Sequence, residues 1–236
     1  MAVVTLAPHV HRIPTMGDYI NAFAFTEADG SVTLVDCGIK RAPAKIVKAL
    51  AQMGKDPKDV QRIVLTHAHN DHAGGAAEMI EKTTATGISA HEADVDFLEA
   101  GMSPPFGNDS TSGRIFARVN KGGFVPVNVD HVIRDGDILP VAGGLRAIHT
   151  PGHTPGHISL LHEDSGVLIT GDAIFNMRSK LAWPFAAFCT SSVLNAQSAA
   201  VFADLDYRIA AFTHGPEIRA NAREQVRGFL ARAGKN

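Results

Sequence analysis

The ten residues from Thr66 to Gly75, THAHNDHAGG, place three histidines and one aspartate within six positions. Neutral imidazole and carboxylate are good ligands for zinc and other divalent transition-metal ions. His67 and His69 are two apart, so in an extended segment their side chains can face the same side. Asp71 and His72 follow where the chain bends into a helix, and they can face a second centre. The stretch therefore predicts a metal site.

A helix cap is the alternative explanation of this stretch. An aspartate near the N-terminus of a helix is favoured by the helix dipole and can accept hydrogen bonds from backbone N–H groups. Capping does not require three histidines, whereas a metal site needs further ligands at other strand ends. Three such residues follow short apolar runs, each beside a glycine: His153, Asp172 and His214.

The ligand-type residues are positioned by short apolar runs between turn residues, which predict strands. The predicted strands cover residues 3–6, 10–13, 19–26, 31–36, 62–65, 88–90, 145–149, 158–162, 167–170 and 209–212. The predicted helices cover residues 44–53, 71–81, 192–203 and 217–233. Two blocks of strands with attached helices predict an α/β fold with two facing sheets and helices outside. The ligands then lie at strand tips, where α/β proteins commonly assemble sites.

The segment 91–129 has no clear place in such a sheet. It begins with a helical pattern, passes through GMSPPFGNDSTSG and resumes with an amphipathic stretch at 114–120. A connection of this length more often has a functional role than serves only to join two strands. We therefore predict a substrate-covering insertion within one domain of residues 1–236, with a plain surface excursion as the alternative.

Composition narrows the class of partner. A formal net charge of −2 without a Lys/Arg cluster argues against nucleic acid. The sequence has no secretory signal pattern, and its apolar runs are much shorter than the roughly 18 residues that a membrane span needs. We therefore expect a cytoplasmic protein without membrane contact. The two cysteines stand outside any CxxC pattern and predict reduced thiols. A small-molecule substrate is expected, and a homodimer is left open. Five histidines are assigned structural roles: His9, His11, His91, His131 and His162.

Together these motifs resemble the metallo-β-lactamase superfamily over nearly the whole chain. THAHNDHAGG is similar to its HxHxDH motif, and the three later ligand-type residues are similar to its later motifs in order. The resemblance implies an αββα sandwich of two mixed sheets with a metal centre at one edge. Asp36, in LVDCG, matches an aspartate that orients the ligands from behind. The ligands implied for one metal are His67, His69 and His153, those for the other are Asp71, His72 and His214, and Asp172 bridges both.

The resemblance also implies a reaction. Two divalent ions, zinc first with iron or manganese as alternatives, would hold a bridging hydroxide that attacks an ester, thioester, lactone or amide carbonyl. Asp71 and Asp172 are the predicted catalytic residues, and His149 and His157 are predicted to support the site or the fold. Typical β-lactamases of the superfamily lack the bridging aspartate, several lactonases carry Tyr where Phe175 stands, and glyoxalase II-like thioesterases have a longer C-terminal region. The substrate therefore stays open.

Two other functions are weighed against hydrolysis. A mononuclear iron persulfide dioxygenase would use fewer of these ligands, and a metal-binding scaffold would use them without catalysis. Substrate choice is assigned to the loops around the ligands, where an apolar pocket with one or two cations would suit an acyl chain or an aromatic acid derivative. The alternative is that these aromatic residues only pack against the end of the sheet and do not contact substrate. The predicted pocket residues are Tyr19, Phe106, Phe175, Arg178 and Trp183.

Overall fold

The computed structural model describes residues 2–107 and 123–233, which form two large sheets, one small hairpin and six α-helices within that part of the chain. The first sheet has seven strands in chain order, antiparallel from β1 to β4 and parallel from β4 to β7. Its strands are β1 Val4–Ala7, β2 Val10–Pro14, β3 Asn21–Thr26, β4 Val32–Val35, β5 Val60–Val64, β6 Ile88–His91 and β7 Val129–Ile133.

The second sheet has five strands in the order β14-β11-β10-β9-β8, and only the β11–β14 pair is parallel. A two-stranded hairpin, β12 with β13, stands apart from both sheets. The strands of the second sheet are β8 Ile138–Leu139, β9 Leu145–His149, β10 Ile158–His162, β11 Val167–Ile169 and β14 Ile209–Ala211. The hairpin strands are β12 Phe175–Met177 and β13 Lys180–Ala182.

Three apolar clusters hold the layers together, because alternate side chains of each strand face opposite sides of its sheet. On β3, Phe23 and Phe25 enter a central cluster that also holds Leu160 from the second sheet. Their neighbours Ala22 and Ala24 face outward into a cluster shared with α1 and α3. A third cluster packs the C-terminal helix on the outer face of the second sheet. The αββα sandwich is therefore confirmed. The helices are α1 Pro43–Gln52, α2 Asn70–Ala73, α3 Ala76–Lys82, α4 Val95–Ala100, α5 Ser192–Ser198 and α6 Ala222–Ala233.

Several predicted elements differ in extent. The helix predicted at 71–81 is two helices, α2 and α3, separated by Gly74 and Gly75. A Cβ on Gly75 would lie 2.4 Å from the carbonyl oxygen of Cys37, so glycine permits this close approach. The last helix starts at Ala222 rather than 217, because Ile218 pairs with Ala210 at the edge of β14.

The segment 91–129 connects two parallel neighbours, β6 and β7, and it begins with α4. The amphipathic stretch predicted at 114–120 lies outside the described residues. Strand β7 was not predicted from the sequence. Among the described residues, no helix is long and apolar enough to cross a membrane.

Candidate metal centre

The ligand-type side chains come from the ends of four strands. His67 and His69 follow β5, and Asp71 and His72 lie in the first turn after them, in α2. The others follow strands of the second sheet. Because these strand ends share one edge of the sandwich, side chains distant in sequence meet there. These later residues follow β9, β11 and β14, in the order His153, Asp172 and His214.

The structure brings all seven predicted ligands together. Their possible ligand atoms form three groups, and within each group every atom lies within 4.8 Å of the others. Two of the groups match the two sets that the resemblance implied, and the third joins one histidine of each set to Asp172. The groups are His67 with His69 and His153, His67 with His72 and Asp172, and Asp71 with His72 and His214.

Asp172 lies between the two sets. Its Oδ2 is 3.1 Å from Nε2 of His153 and 3.2 Å from Nε2 of His214. Its Oδ1 is 3.3 Å from Nε2 of His72 and accepts a hydrogen bond of 2.6 Å from Thr213 Oγ1. One carboxylate thus contacts a histidine of each set, the geometry that a bridging ligand needs.

Asp36 supports the first loop from behind. Its carboxylate accepts hydrogen bonds from Thr66 N at 2.8 Å and from Thr66 Oγ1, and it lies 2.8 Å from Nδ1 of His72. A proton on Nδ1 leaves Nε2 of His72 free to face the cluster. Asp36 has a φ of 61°, a left-handed conformation that is uncommon for a residue other than glycine.

A second buried carboxylate, Asp94, supports both ligand loops, and the sequence interpretation missed it. Its Oδ2 accepts hydrogen bonds from Ala68 N at 2.8 Å and Thr154 Oγ1 at 2.7 Å, and its Oδ1 accepts one from Gly156 N at 2.7 Å. Burial raises the pKa of Asp94, against these hydrogen bonds. Asp94 therefore joins the HxH loop to the loop of His153.

Two other contacts fix imidazole orientations. His157 Nε2 accepts a hydrogen bond of 2.7 Å from Asp172 N, so its proton is on Nδ1, which donates to the Thr150 carbonyl at 3.0 Å. Burial lowers the pKa of His157 to about 3, consistent with a neutral ring. His214 Nδ1 donates to the Tyr19 carbonyl at 2.5 Å, which leaves its Nε2 for the cluster.

The carboxylates make the centre suitable for positive charge. Burial by itself lowers the pKa of His72, but Asp172 and Asp36 outweigh it, and the pKa is raised. Burial likewise opposes the effect of Asp172 and Asp71 on His214, whose pKa is raised to about 10. The field that stabilises a protonated imidazole also stabilises a bound cation.

The donor set fits divalent metal ions. Within residues 2–107 and 123–233, Nε2 of His67, His69 and His72 is buried without a hydrogen-bond partner. A buried polar atom without a partner is costly, and these three histidines all belong to the groups that can hold an ion. The cluster is thus suited to bind divalent metal.

A cavity of about 360 Å³ opens beside the cluster. His69, Asp71 and His214 line one side, and the predicted residues Phe106 and Phe175 lie on its walls. Three aromatic or thioether side chains complete the walls, and all three lie in the stretch MRSKLAWPFAAF after Asp172, one of the loops to which the sequence assigned substrate choice: Met177, Phe185 and Phe188.

The other three predicted pocket residues lie elsewhere. Tyr19 and Arg178 line a neighbouring cavity of about 240 Å³ together with Met177. Trp183 is not among the described residues that line the cavity at the cluster. It packs on Phe229 of the C-terminal helix, with ring centroids 4.8 Å apart, because the β12–β13 hairpin turns the chain back over the second sheet.

Comparison with known proteins agrees with this geometry. The family model of the metallo-beta-lactamase superfamily matches residues 16–214, a range that contains every ligand described above. The chain belongs to the metallo-beta-lactamase superfamily. It is a metallo-hydrolase of that superfamily, which confirms the predicted family, fold and enzyme class.

Relatives within the metallo-beta-lactamase superfamily span most of the chain. YobT, an uncharacterized protein of Bacillus subtilis strain 168, is 32% identical over 218 residues, which cover 89% of this chain and 88% of YobT. An N-acyl homoserine lactonase of a Bacillus species is 32% identical over 160 residues, 64% of this chain and 54% of the lactonase. Among solved structures, a metallo-beta-lactamase family protein of Thermus thermophilus superposes with a TM-score of 0.74 at 26% identity, covering 98% of this chain and 81% of that one.

Proposed function

We propose that the protein hydrolyses an ester, thioester, lactone or amide bond of a small molecule and that it uses two divalent ions, zinc in the first place. The observation that supports two ions rather than one is Asp172, whose oxygens lie 3.1–3.3 Å from histidines of both ligand sets. His67, His69 and His153 would hold one ion, and Asp71, His72 and His214 the other.

Bound divalent ions supply an activated water and polarise the substrate carbonyl. The chain's own residues orient the reactants around that chemistry. Asp71 has a side chain that is 35% exposed and it lines the cavity, so its carboxylate can accept a hydrogen bond from the attacking water. Asp172 is positioned by the hydrogen bond from Thr213 Oγ1 to its carboxylate and by the hydrogen bond from its backbone N–H to His157. Its carboxylate would thereby stay in contact with both ligand sets.

The described beginning of the segment 91–129 contributes to the same cavity. Ser103 and Phe106 line it, and Thr190 Oγ1 donates to the Pro105 carbonyl at 3.1 Å, which ties the segment to the loop after β13. These contacts support the proposal that the segment covers bound substrate.

Metal analysis of the protein purified without added metal tests the proposal. About two zinc ions per chain, with hydrolysis of at least one thioester, lactone or aryl ester, is the expected result. One iron per chain with oxygen uptake on a persulfide would instead identify a dioxygenase. Full metal content without hydrolysis in the panel would favour the scaffold.

The bridging role of Asp172 has its own test. Asp172→Ala should lose most activity and lower the content of both ions, since one carboxylate serves both sets. Asp206→Ala is the control, because Asp206 is exposed and its side chain pairs only with Arg223 among the described residues. Wild-type turnover in Asp172→Ala would contradict the assignment.

A further inference from the structure

Aromatic rings form a continuous path from the ligand cluster to the surface. The ring of His69 lies 5.4 Å from that of Phe106, centroid to centroid. Phe106 lies 6.1 Å from Phe188 in an edge-to-face arrangement, and Phe188 lies 6.1 Å from Phe185 in another. We call Phe106, Phe188 and Phe185 the aromatic track. All three line the cavity that contains the ligands.

Two further apolar side chains line the same cavity, Phe175 and Met177. The ring of Phe175 lies 4.4 Å from that of His214, and Met177 follows it on β12. Polar groups in the described lining lie at the cluster end, apart from Ser103 and Asn70. A molecule that extends from the ligands into this cavity therefore meets four phenyl rings and a thioether.

Exposure along the aromatic track rises with distance from the ligands. Phe106 is 9% exposed, Phe188 is 39% exposed and Phe185 is 66% exposed. Phe185 presents apolar surface to water, and a bound apolar group would cover part of it. The gradient is that of a binding channel which is closed at the chemical end and open at the other.

We propose that the aromatic track binds the acyl chain of the substrate, so that the protein prefers neutral esters, thioesters or lactones with an extended alkyl or aryl acyl group. This inference rests on the proposed hydrolase function and adds the substrate class. In the reaction, water oxygen bonds to the carbonyl carbon, the bond to the leaving oxygen or sulfur breaks, and the leaving group takes up a proton. The acyl chain stays on the aromatic track throughout.

The aromatic track also predicts which substrates are disfavoured. A carboxylate at the end of a short acyl chain, beside buried Phe106, would lose water among phenyl rings, and burial of an unpaired charge is costly. A short acyl group with a terminal carboxylate should therefore react more slowly than the neutral acyl group of the same length.

A series of p-nitrophenyl esters tests the proposal on the metal-loaded protein. From acetate through butyrate and hexanoate to octanoate, kcat/KM should rise by up to about fourfold for each methylene that leaves water. Phe188→Ala and Phe185→Ala should lower the octanoate-to-acetate ratio of kcat/KM several-fold. Ile138→Ala is the matched control, since Ile138 is 68% exposed and lies on β8, outside the cavity lining. An unchanged ratio in both phenylalanine variants overturns the proposal.

A binding measurement separates this inference from the proposed function. Decanoate binding by calorimetry should be several-fold weaker in Phe188→Ala than in wild type, and circular dichroism verifies that the variant is folded. If no ester is hydrolysed but this loss is seen, the hydrolase proposal fails while the apolar channel stands. If esters are hydrolysed without chain-length preference, the hydrolase stands and the aromatic track fails. If neither result is obtained, both are wrong.

Discussion

The carboxylate of Asp94 accepts a hydrogen bond of 2.8 Å from the amide of Ala68, the residue between His67 and His69. The same carboxylate holds the side chain of Thr154, next to His153. Asp94 therefore connects the loops of all three ligands in one set while Asp36 holds the other set through His72. Asp36 contacts His72 directly and reaches His67 of the first set only through Thr66, so the direct support of each carboxylate falls on a different set.

Asp94→Asn should weaken metal binding at the set of His67, His69 and His153. An amide replaces one acceptor oxygen with a donor that faces backbone N–H groups, and loss of such supporting contacts typically costs about 10- to 100-fold in metal affinity. Chelator competition should show one weakened ion and one near wild-type affinity. Asp96→Asn, two residues on and exposed, is the control. Equal weakening of both ions would indicate general loss of structure.

Asp36→Asn should weaken the other ion. Without the carboxylate, Nδ1 of His72 loses a charged acceptor, and the ring is no longer held with Nε2 towards the cluster. Chelator competition on this variant should give the pattern opposite to that of Asp94→Asn. The double variant should lose both ions. Loss of the same ion in both single variants would contradict the division into two supported sets.

Sequence reasoning was most accurate where a local pattern carries the structure. Strands at 145–149 and 158–162 were predicted to the residue, because buried apolar residues run between clear turns. Strand β7, VDHVI, was missed because it is an edge strand with mostly exposed or half-buried side chains and little apolar alternation.

The residues of the site divide in the same way, into those that a local sequence pattern marks and those that only the fold brings to the site. The ligands in THAHNDH could be predicted because their spacing is local and their residue types suit metal chemistry. His153, Asp172 and His214 were indicated by their places at strand tips, and the resemblance to the superfamily implied which metal each would bind. Asp94 could not be predicted, because in the run EADVD nothing local separates it from Asp96, and only the fold brings it to Ala68 and Gly156. Trp183 was assigned to the pocket by proximity in sequence, but the β12–β13 hairpin carries it to Phe229.

Gly171→Ala should lower kcat by more than its effect on the free energy of unfolding would explain. Gly171 has a φ of 55°, and a Cβ there would lie 2.4 Å from Nε2 of His157, the atom that accepts the hydrogen bond from Asp172 N. The clash should displace the bridging carboxylate and lower kcat by at least about tenfold, since small misplacements at a reacting centre are costly.

Gly54→Ala is the control for Gly171→Ala. Gly54 also has a positive φ, 70°, but no atom lies within 4 Å of its Cβ position. It should cost about 1 kcal/mol of unfolding free energy from backbone strain alone, with kcat unchanged. Equal kcat in both variants would show that the His157 contact does not position Asp172.

His91 should make stability depend on pH below neutrality. Its ring stacks on His149 at 3.9 Å, and its Nδ1 accepts a hydrogen bond from Ala93 N, which requires the neutral form. Burial, with a contribution from His149, lowers the pKa of His91 from 6.5 to about 4. Between these values the unfolded chain binds a proton that the folded chain does not, so this stabilisation is complete above pH 6.5 and declines as the pH falls towards 4.

His91→Asn isolates that effect, because asparagine can still accept the hydrogen bond from Ala93 N but does not titrate. The variant should be less stable than wild type at pH 7.5, where the stacked ring is neutral. By pH 4.5 the difference in unfolding free energy should shrink by about 1 kcal/mol or more, since one pKa unit corresponds to about 1.4 kcal/mol. Urea denaturation of both proteins at the two pH values measures it, and a gap that stays constant would mean that His91 titrates alike in the folded and unfolded chains.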